Sequence, residues 1–387
     1  QVAVTILGDT QFEADEIFTL RVQSIETEST PIASPEGPQN QVEQPVIAAY
    51  YPEWGIYGRN YQIADVPGND LTHFIYAFAN LTPQGEMVLF DSYAATEKRF
   101  SANESVSGEA DLWDYPADDP RSQQTVWGNF NQVAQLKAKF PHLRTSIAIG
   151  GWTLSGNFSD VTSTAAGRET LAQSIYDFLD TYTMFDGIDF DWEYPGGGGL
   201  SGNGESPQDG ANYASLLQSV RGKLDQLGAE NDRYYEITVA SPGGPDKIAN
   251  FNVSGVNEYV DFFNVMTYDF HGGWENVTGH QAAMTGDANN YDVTGAVDVF
   301  ETAGIELSKV VMGAPAYTRA WGNVSDGGTF GYQQPGSGRD ANGSFEAGVY
   351  DYKDLLDDVV TGTRNLYWDD DNKAAFLYDG EEWSSME

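Results

Sequence analysis

The chain has 387 residues, of which 58 are acidic and 19 are basic, so its formal net charge is −39. The 40% of hydrophobic residues can bury a large core, and we expect a globular protein with two or more structural units. The negative charge excludes nucleic acid as a natural partner, because phosphate groups would be repelled. The negative charges also repel one another within the folded protein unless salt screens them, which predicts a high-salt source. The alternative is an acidic secreted protein from a mesophilic source.

Several common features are missing from the sequence. Cysteine is absent, so the protein can use neither disulfides nor thiolates. No apolar run approaches the length of about 18 residues that spans a bilayer, so we expect no membrane partner. The sequence begins at Gln1 without a recognisable signal peptide, which indicates that a leader has been removed or that a longer chain has been cut.

The N-terminal region has its own pattern. Residues 2–22 alternate as two strands around an acidic turn, a β-hairpin fragment. The stretch "GDTQFEADEIFTL" resembles the end of a Calx-beta domain, a family in which such acids help to hold calcium. The resemblance makes calcium a candidate ligand of Asp9, Glu13, Asp15 and Glu16, although the other ligand loops are absent, and we predict no other cofactor. Residues 23–45 are rich in Pro, Ser, Thr, Glu and Gln and predict a flexible linker.

From residue 46 onwards, short apolar runs alternate with amphipathic stretches. The predicted strands are "VIAAYY", "LTHFIYAFA", "RTSIAIGGW", "GIDFDW", "YYEITVAS", "FFNVMTYD" and "KVVMGAPAY". Helical spacing of apolar residues predicts helices over 129–140, 167–180 and 211–227. This alternation predicts an α/β fold, a (β/α)8 TIM barrel whose eighth strand is missing from the chain. A doubly wound sheet is the alternative, but "AAYYPEWGIYGR" has aromatic residues where that fold favours a glycine-rich phosphate loop.

The fourth predicted strand, "GIDFDWE", carries an unusual number of acids. Alternate residues of a strand face opposite sides, so Asp189, Asp191 and Glu193 share the face that points into the barrel. Glu193 would then lie at the carboxyl-terminal rim, where barrel active sites are found. Neighbouring carboxylates cannot all stay ionised, so at least one must hold a proton and can act as a general acid. Counted from Asp189, the strand lacks the glycine and glutamate of a calcium loop, and we predict no metal here.

These acids carry a family resemblance. "DGIDFDWE" fits the "DGxDxDxE" signature of glycoside hydrolase family 18, the chitinases, and "AYYPEWGIYGRNY", "IAIGGWTLSG", "MTYDFHGGWEN" and "MGAPAYTRAW" resemble further stretches of that family in the same order. The resemblance covers residues 46–387. It is strongest to bacterial-type enzymes with a small α+β insertion domain, which we place at about 318–378.

The resemblance implies a retaining, substrate-assisted reaction, in which the 2-acetamido oxygen of the sugar attacks its own anomeric carbon. Glu193 would act as general acid and then as base, and Asp191 would orient the acetamido N–H. Asp189 would share the proton of Asp191, and Tyr268 would donate a hydrogen bond to the acetamido oxygen.

The resemblance also implies binding and structural roles. The implied substrate-binding residues are Tyr50, Trp54, Trp152, Met266, Asp269, Tyr317 and Arg319, with Trp274 and Trp321 as further candidates. The implied structural residues of the motifs are Asp186, Gly150 and Gly151. Core packing is the alternative for any single aromatic side chain. The sequence departs from the family pattern at two places. Ala148 replaces the usual serine, which predicts a lost or moved hydrogen bond beneath the acids. The tryptophan that the family usually has on strand eight has no counterpart in this sequence.

The function expected from this resemblance is that of a secreted, extracellular chitinase with a monomeric catalytic unit. Its substrate would be chitin or chito-oligosaccharides. A catalytically silent chitin-binding lectin is one alternative, although such relatives commonly lose the acid that Glu193 supplies. An endo-β-N-acetylglucosaminidase acting on glycoprotein glycans is the other.

Overall fold

The computed structural model of the protein describes residues 45–387. The predicted hairpin at 2–22, its candidate calcium ligands and nearly all of the linker at 23–45 lie outside the described residues.

The first sheet contains seven parallel strands in the order β1-β2-β4-β5-β6-β7-β8, and the short β3 pairs antiparallel with β2. Their bounds are β1 Ala48–Pro52, β2 His73–Leu81, β3 Met87–Leu89, β4 Arg144–Gly150, β5 Gly187–Asp191, β6 Glu236–Pro242, β7 Phe262–Met266 and β8 Val310–Met312. The seven parallel strands coincide with the seven predicted apolar runs. They form the sheet of a TIM barrel, and no strand within residues 45–387 joins β8 to β1.

Helices lie between the parallel strands. Their bounds are α1 Gly128–Lys139, α2 Phe158–Thr162, α3 Ala165–Thr181, α4 Asp209–Asn231, α5 Pro245–Phe251, α6 Val253–Asn257 and α7 Val293–Thr302. The predicted helices correspond to α1, α3 and α4. In α3, Leu171 and Ile175 are fully buried, and the Thr164 side chain caps the helix by accepting the Gly167 N–H. None of the described helices is both long enough and apolar enough to cross a membrane.

The main core lies between the sheet and these helices. Ile188, Phe190 and Trp192 point into it from one face of β5 and the residues just after it, and each is at most 1% exposed. Trp192 stacks on Phe158 with 5.3 Å between ring centroids. The opposite face of β5 is therefore left to point into the barrel, in agreement with the predicted alternation.

A second, antiparallel sheet follows β8 and forms the insertion domain. Its strand order is β10-β9-β13-β12-β11, and α8 (Tyr352–Thr361) connects β10 to β11. The bounds are β9 Tyr317–Trp321, β10 Val349–Asp351, β11 Asn365–Asp369, β12 Ala374–Tyr378 and β13 Trp383–Ser385. The sheet continues beyond residue 378, because β13 pairs with both β12 and β9.

Candidate active site

The lowest acid of the row, Asp189, is fully buried inside the barrel. The Tyr50 hydroxyl donates to its Oδ2 over 2.7 Å, and the Asn264 amide donates to its Oδ1 over 3.2 Å. The Thr238 hydroxyl also donates to Oδ1. These three donors lie on β1, β7 and β6, so the carboxylate is held from several sides of the barrel.

The hydrogen bonds to Asp189 bear on the prediction that Ala148, in place of the usual serine, loses or moves a hydrogen bond beneath the acids. Ala148 lies directly opposite Asp189 on β4, and its methyl group offers no hydrogen bond. Thr238 lies opposite Asp189 on the other neighbouring strand and supplies one. The hydrogen bonding beneath the acids is thus provided from elsewhere in the barrel. Neither Thr238 nor Asn264 was predicted as a site residue; Asn264 is the single polar residue of β7, whereas Thr238 shares β6 with Glu236 and Ser241.

Asp191 lies next along the same face and is 6% exposed. Its Oδ1 is buried and has no hydrogen-bond partner among residues 45–387. Burial raises the pKa of Asp191 well above its ordinary value, and the charges of Asp189 and Glu193 raise it further. The fold therefore favours a protonated Asp191 beside an acid that can share the proton.

Glu193 is uppermost, two residues beyond Asp191. Burial raises its pKa to about 7, and the charge of Asp269 adds to this effect while a hydrogen bond from Tyr194 opposes it. A carboxyl group with such a pKa is substantially protonated near neutral pH, as a general acid must be.

Ser155 holds the backbone around these two acids. Its side chain is fully buried, and its hydroxyl accepts the N–H of Glu193 over 2.9 Å. The same hydroxyl lies within donating distance of the carbonyls of Gly151 and Asp191, at 2.9 and 3.0 Å. One side chain therefore joins the end of β4 to the end of β5. Ser155 was not predicted as a site residue, although it lies in the family-like stretch "IAIGGWTLSG".

Gly150 and Gly151 let β4 end close against β5. Both have positive φ angles, +109° and +88°. A Cβ atom on Gly150 would lie 2.4 Å from the carbonyl oxygen of Asp191, and one on Gly151 would lie 3.0 Å from the Phe78 ring. Any larger residue at Gly150 would therefore push the acid strand away.

A second cluster of polar side chains forms around Asp269, which follows β7. The Tyr317 hydroxyl donates to Asp269 Oδ2 over 2.7 Å, and Arg319 forms a two-pronged ion pair with the same carboxylate at 2.7 Å for each contact. The Tyr268 ring lies 6.2 Å from that of Tyr317. Burial, then the charges of Asp191 and Glu193, raise the pKa of Tyr268, so its hydroxyl keeps its proton and can donate it in a hydrogen bond.

Several predicted sugar-contacting aromatic residues are accessible. The exposed fractions of Tyr50, Trp54 and Trp152 are 37%, 41% and 47%. Tyr50 lies within β1, Trp54 follows that strand, and Trp152 follows β4. Met266 is half-buried at the end of β7. Trp274 is exposed, with the Arg319 guanidinium over its ring at 5.1 Å.

Trp321 does not belong to this group. It is fully buried in the insertion domain, where its ring packs against Trp383 with 5.5 Å between centroids. Its indole N–H donates to the Glu275 carbonyl. The prediction that Trp321 contacts substrate is wrong, because the alternative of core packing applies.

Asp186 lies at the opposite end of the acid motif, just before β5. Its Oδ1 is 2.6 Å from Lys137 Nζ and also pairs with Arg233, while its Oδ2 accepts the Thr145 N–H over 2.9 Å. Burial alone would raise the pKa of Asp186, but the hydrogen bond and charge of Lys137 outweigh it, and the pKa is lowered. This carboxylate ties β5 to α1 and β4.

Across residues 45–387, no three His, Cys, Asp or Glu side chains are grouped so that they could hold a metal ion.

Comparison with known proteins places this site in a family. The model of the glycosyl hydrolases family 18 matches residues 46–387. The chain belongs to this family. Chitinase A1 of Niallia circulans is 36% identical over 373 residues, which cover 86% of this chain and 51% of the relative. The family 18 chain thus spans about half the length of that relative.

Solved structures of the family agree with the fold. The catalytic domain of the psychrophilic chitinase B from Arthrobacter TAD20 is 31% identical, with a TM-score of 0.79 over 88% of this chain and 85% of that chain. The chitinase ChiA74 from Bacillus thuringiensis is 32% identical, with the same TM-score of 0.79 over 89% of this chain and 61% of that chain.

Proposed function

We propose that this family 18 protein is a secreted chitinase that hydrolyses the β-1,4 bonds of N-acetylglucosamine polymers with retention of configuration. One observation carries the proposal. Glu193, with a pKa of about 7, ends a row of acids in which Asp189 lies buried beneath the protonated Asp191. Two of these acids come from one strand and Glu193 directly follows it, so they lie on the same side of the sugar and leave the nucleophile to be supplied by the substrate.

In the first step, Glu193 donates its proton to the glycosidic oxygen as the bond to the anomeric carbon breaks. The acetamido carbonyl oxygen of the same sugar forms a bond to that carbon from the opposite face, and a cyclic oxazolinium ion results. Glu193, now ionised, then removes a proton from water as the water opens the ring. Two displacements at one carbon retain its configuration.

Asp191 and Tyr268 hold the acetamido group during both steps. The Asp191 carboxylate accepts the acetamido N–H once its proton has moved toward Asp189, and this contact stabilises the positive charge of the oxazolinium ion. The Tyr268 hydroxyl, kept protonated by its surroundings, donates to the acetamido oxygen. Tyr50, Thr238 and Asn264 hold Asp189 in place beneath Asp191, because they fix both of its oxygens.

The accessible aromatic rings at the rim suit a sugar polymer. The apolar faces of pyranose rings pack on indole and phenol rings, and Trp54 and Trp152 are both more than 40% exposed. The insertion domain adds a wall to this rim, which favours an extended chain over a branched glycan. A lectin would have no need for the raised pKa of Glu193.

The charge of the protein supports a high-salt extracellular setting. A net charge of −39 destabilises a compact chain by self-repulsion. Molar salt shortens the Debye length to about 3 Å and removes most of that repulsion.

The test is release of nitrophenol from 4-nitrophenyl chitobioside by the wild-type protein and by Glu193→Gln, measured across a salt series. We expect wild-type activity that increases with salt, and a loss of at least about 10³-fold in the variant. The anomeric configuration of the first product from chitohexaose, followed by proton NMR, is expected to be β. A protein inactive at every salt concentration would contradict the enzyme proposal, and an inverted product would contradict the mechanism.

A further inference from the structure

The first rim loop, residues 53–61, follows β1 and carries Trp54. It begins with a 3-10 helix, Glu53–Ile56. The Tyr57 hydroxyl then donates to Asp91 Oδ2 over 2.7 Å, which ties the loop to the segment after β3. Arg59 reaches in another direction and pairs with Asp351 of the insertion domain. The loop is thus attached on two sides.

The contact of Arg59 with the insertion domain is well defined. Its Nη2 lies 3.0 Å from Asp351 Oδ1 and its Nε lies 3.2 Å from Oδ2, so both carboxylate oxygens are engaged. Its Cζ lies 4.4 Å from the centroid of the Phe345 ring. The guanidinium is therefore held edge-on by a carboxylate and face-on by an aromatic ring. An exposed ion pair usually contributes little, but the Asp351 side chain is only 14% exposed and the two contacts restrict the orientation of Arg59.

This contact joins two surfaces that each carry a candidate sugar-contacting ring. Asp351 on β10 is the direct cross-strand partner of Tyr317 on β9. Tyr317 in turn donates to Asp269 at the barrel rim. Trp54 precedes Arg59 by five residues on the first rim loop. The insertion domain is consequently fastened to the rim both at Asp269 and at Arg59.

We propose that Arg59 and Asp351 are positioning residues that fix the insertion domain relative to the first rim loop, and that they thereby favour long chitin chains over short ones. The proposal rests on the proposed chitinase function. A short substrate needs only the acids and the groups beside them, which the barrel strands hold directly. A longer chain also extends along the surfaces that carry Trp54 and Tyr317, and surfaces held in place beforehand spare the cost of ordering them on binding.

The test compares two substrates in Arg59→Ala, Asp351→Asn and the double variant. We expect KM for chitohexaose to rise at least about fivefold in each single variant, with kcat changed less than twofold. For 4-nitrophenyl chitobioside, both constants are expected to stay within twofold of the wild type. The double variant should match the single ones, because all three lose the same contact.

Arg221→Ala is the matched control. Arg221 also pairs with a carboxylate, Asp225, at 2.7 Å and also lies over an aromatic ring, that of Tyr234, at 5.0 Å. It belongs to α4, whereas Tyr234 just precedes β6, away from the carboxyl ends of the strands. We expect this variant to show no dependence on substrate length.

Arg59→Lys serves as the second variant, since it keeps the charge but loses the two-pronged contact. A partial rise in KM for chitohexaose is expected. Equal losses on both substrates, or unchanged KM for chitohexaose in Arg59→Ala, would overturn the positioning role. Wild-type protein that cleaves neither substrate would instead overturn the proposed function.

Discussion

Asp186 and Asp191 belong to one eight-residue motif and are almost equally buried, with 4% and 6% exposure, yet their pKa values shift in opposite directions. Asp186 faces Lys137 and Arg233 and stays ionised. Asp191 faces two other carboxyl groups, and within the described residues its Oδ1 has no hydrogen-bond partner.

The difference shows that burial alone does not decide the state of a carboxyl group in this barrel. At Asp186, cations supplied by α1 and the segment before β6 outweigh desolvation, so the acid stabilises the fold. At Asp191 no cation from residues 45–387 offsets desolvation, so the acid costs stability and holds the proton that the proposed mechanism uses.

The largest expected effect is that Asp191→Asn lowers activity without lowering stability, whereas Asp186→Asn lowers stability with little effect on activity. Asp191→Asn removes a buried group that resists ionisation and that is the proposed partner of the acetamido group. We expect kcat for chitobioside to fall by about 10²–10³-fold, while the free energy of unfolding stays the same or rises.

Asp186→Asn should behave in the opposite way. It leaves Lys137 and Arg233 without their carboxylate, and we expect a loss on the order of 2–3 kcal/mol of unfolding free energy, less than for a fully buried pair because both cations are partly exposed. Below the unfolding temperature, kcat should stay within about threefold of the wild type. Urea titration and initial rates on the same samples measure both quantities, and parallel losses in the two variants would contradict the comparison.

Glu53 is a buried acid outside the row formed by Asp189, Asp191 and Glu193, and its pKa can be compared with that of Asp191. It is 1% exposed, its Oε2 accepts a hydrogen bond from Tyr76, and burial raises its pKa to about 8. Since the folded pKa lies above the ordinary value of 4.5, the wild type should lose stability as pH rises from about 4.5 to 8.

Glu53→Gln should remove that dependence. We expect the variant to gain on the order of 3 kcal/mol relative to the wild type at pH 7, and almost nothing at pH 4. Urea titrations at both pH values measure the difference. Glu97→Gln, at an exposed position, is the control for the change in net charge. A gain of equal size at both pH values would show that Glu53 is not the titrating group.

The last prediction concerns the pH profile of activity. The Glu193 pKa of about 7 predicts that kcat/KM falls above pH 7, because the general acid loses its proton there. The slope should approach tenfold per pH unit. Chitobioside hydrolysis between pH 5 and 10 at constant salt is the measurement, and activity that stays flat to pH 9 would exclude this pKa for the acid.

Much of the fold could be predicted from the sequence because its signals are local. The period-two pattern of "GIDFDW" and the helical spacing over 167–180 depend only on neighbours along the chain, and both predictions hold. The place of β13 in the second sheet could not be predicted in this way, because β13 is three residues long and is defined by its pairing with β9, more than 60 residues earlier.

The supporting residues of the site could not be found in this way. Ser155, Thr238 and Asn264 are ordinary polar residues in the sequence, and their roles arise from contacts with Asp189, Asp191 and Glu193 across the barrel. Trp321 was misassigned for the same reason, since a tryptophan in a core and one on a sugar-binding surface look alike along the chain.

The sequence by itself determined which face of the acid strand is polar, because alternation along a strand is a property of the backbone. Only the tertiary structure decided which of the acids keeps its charge. Lys137 is 49 residues from Asp186 in the chain and yet touches it, whereas no cation in the described part of the chain reaches Asp191. Solvation and charge in a folded protein depend on neighbours in space, and folding brings them together from distant parts of the sequence.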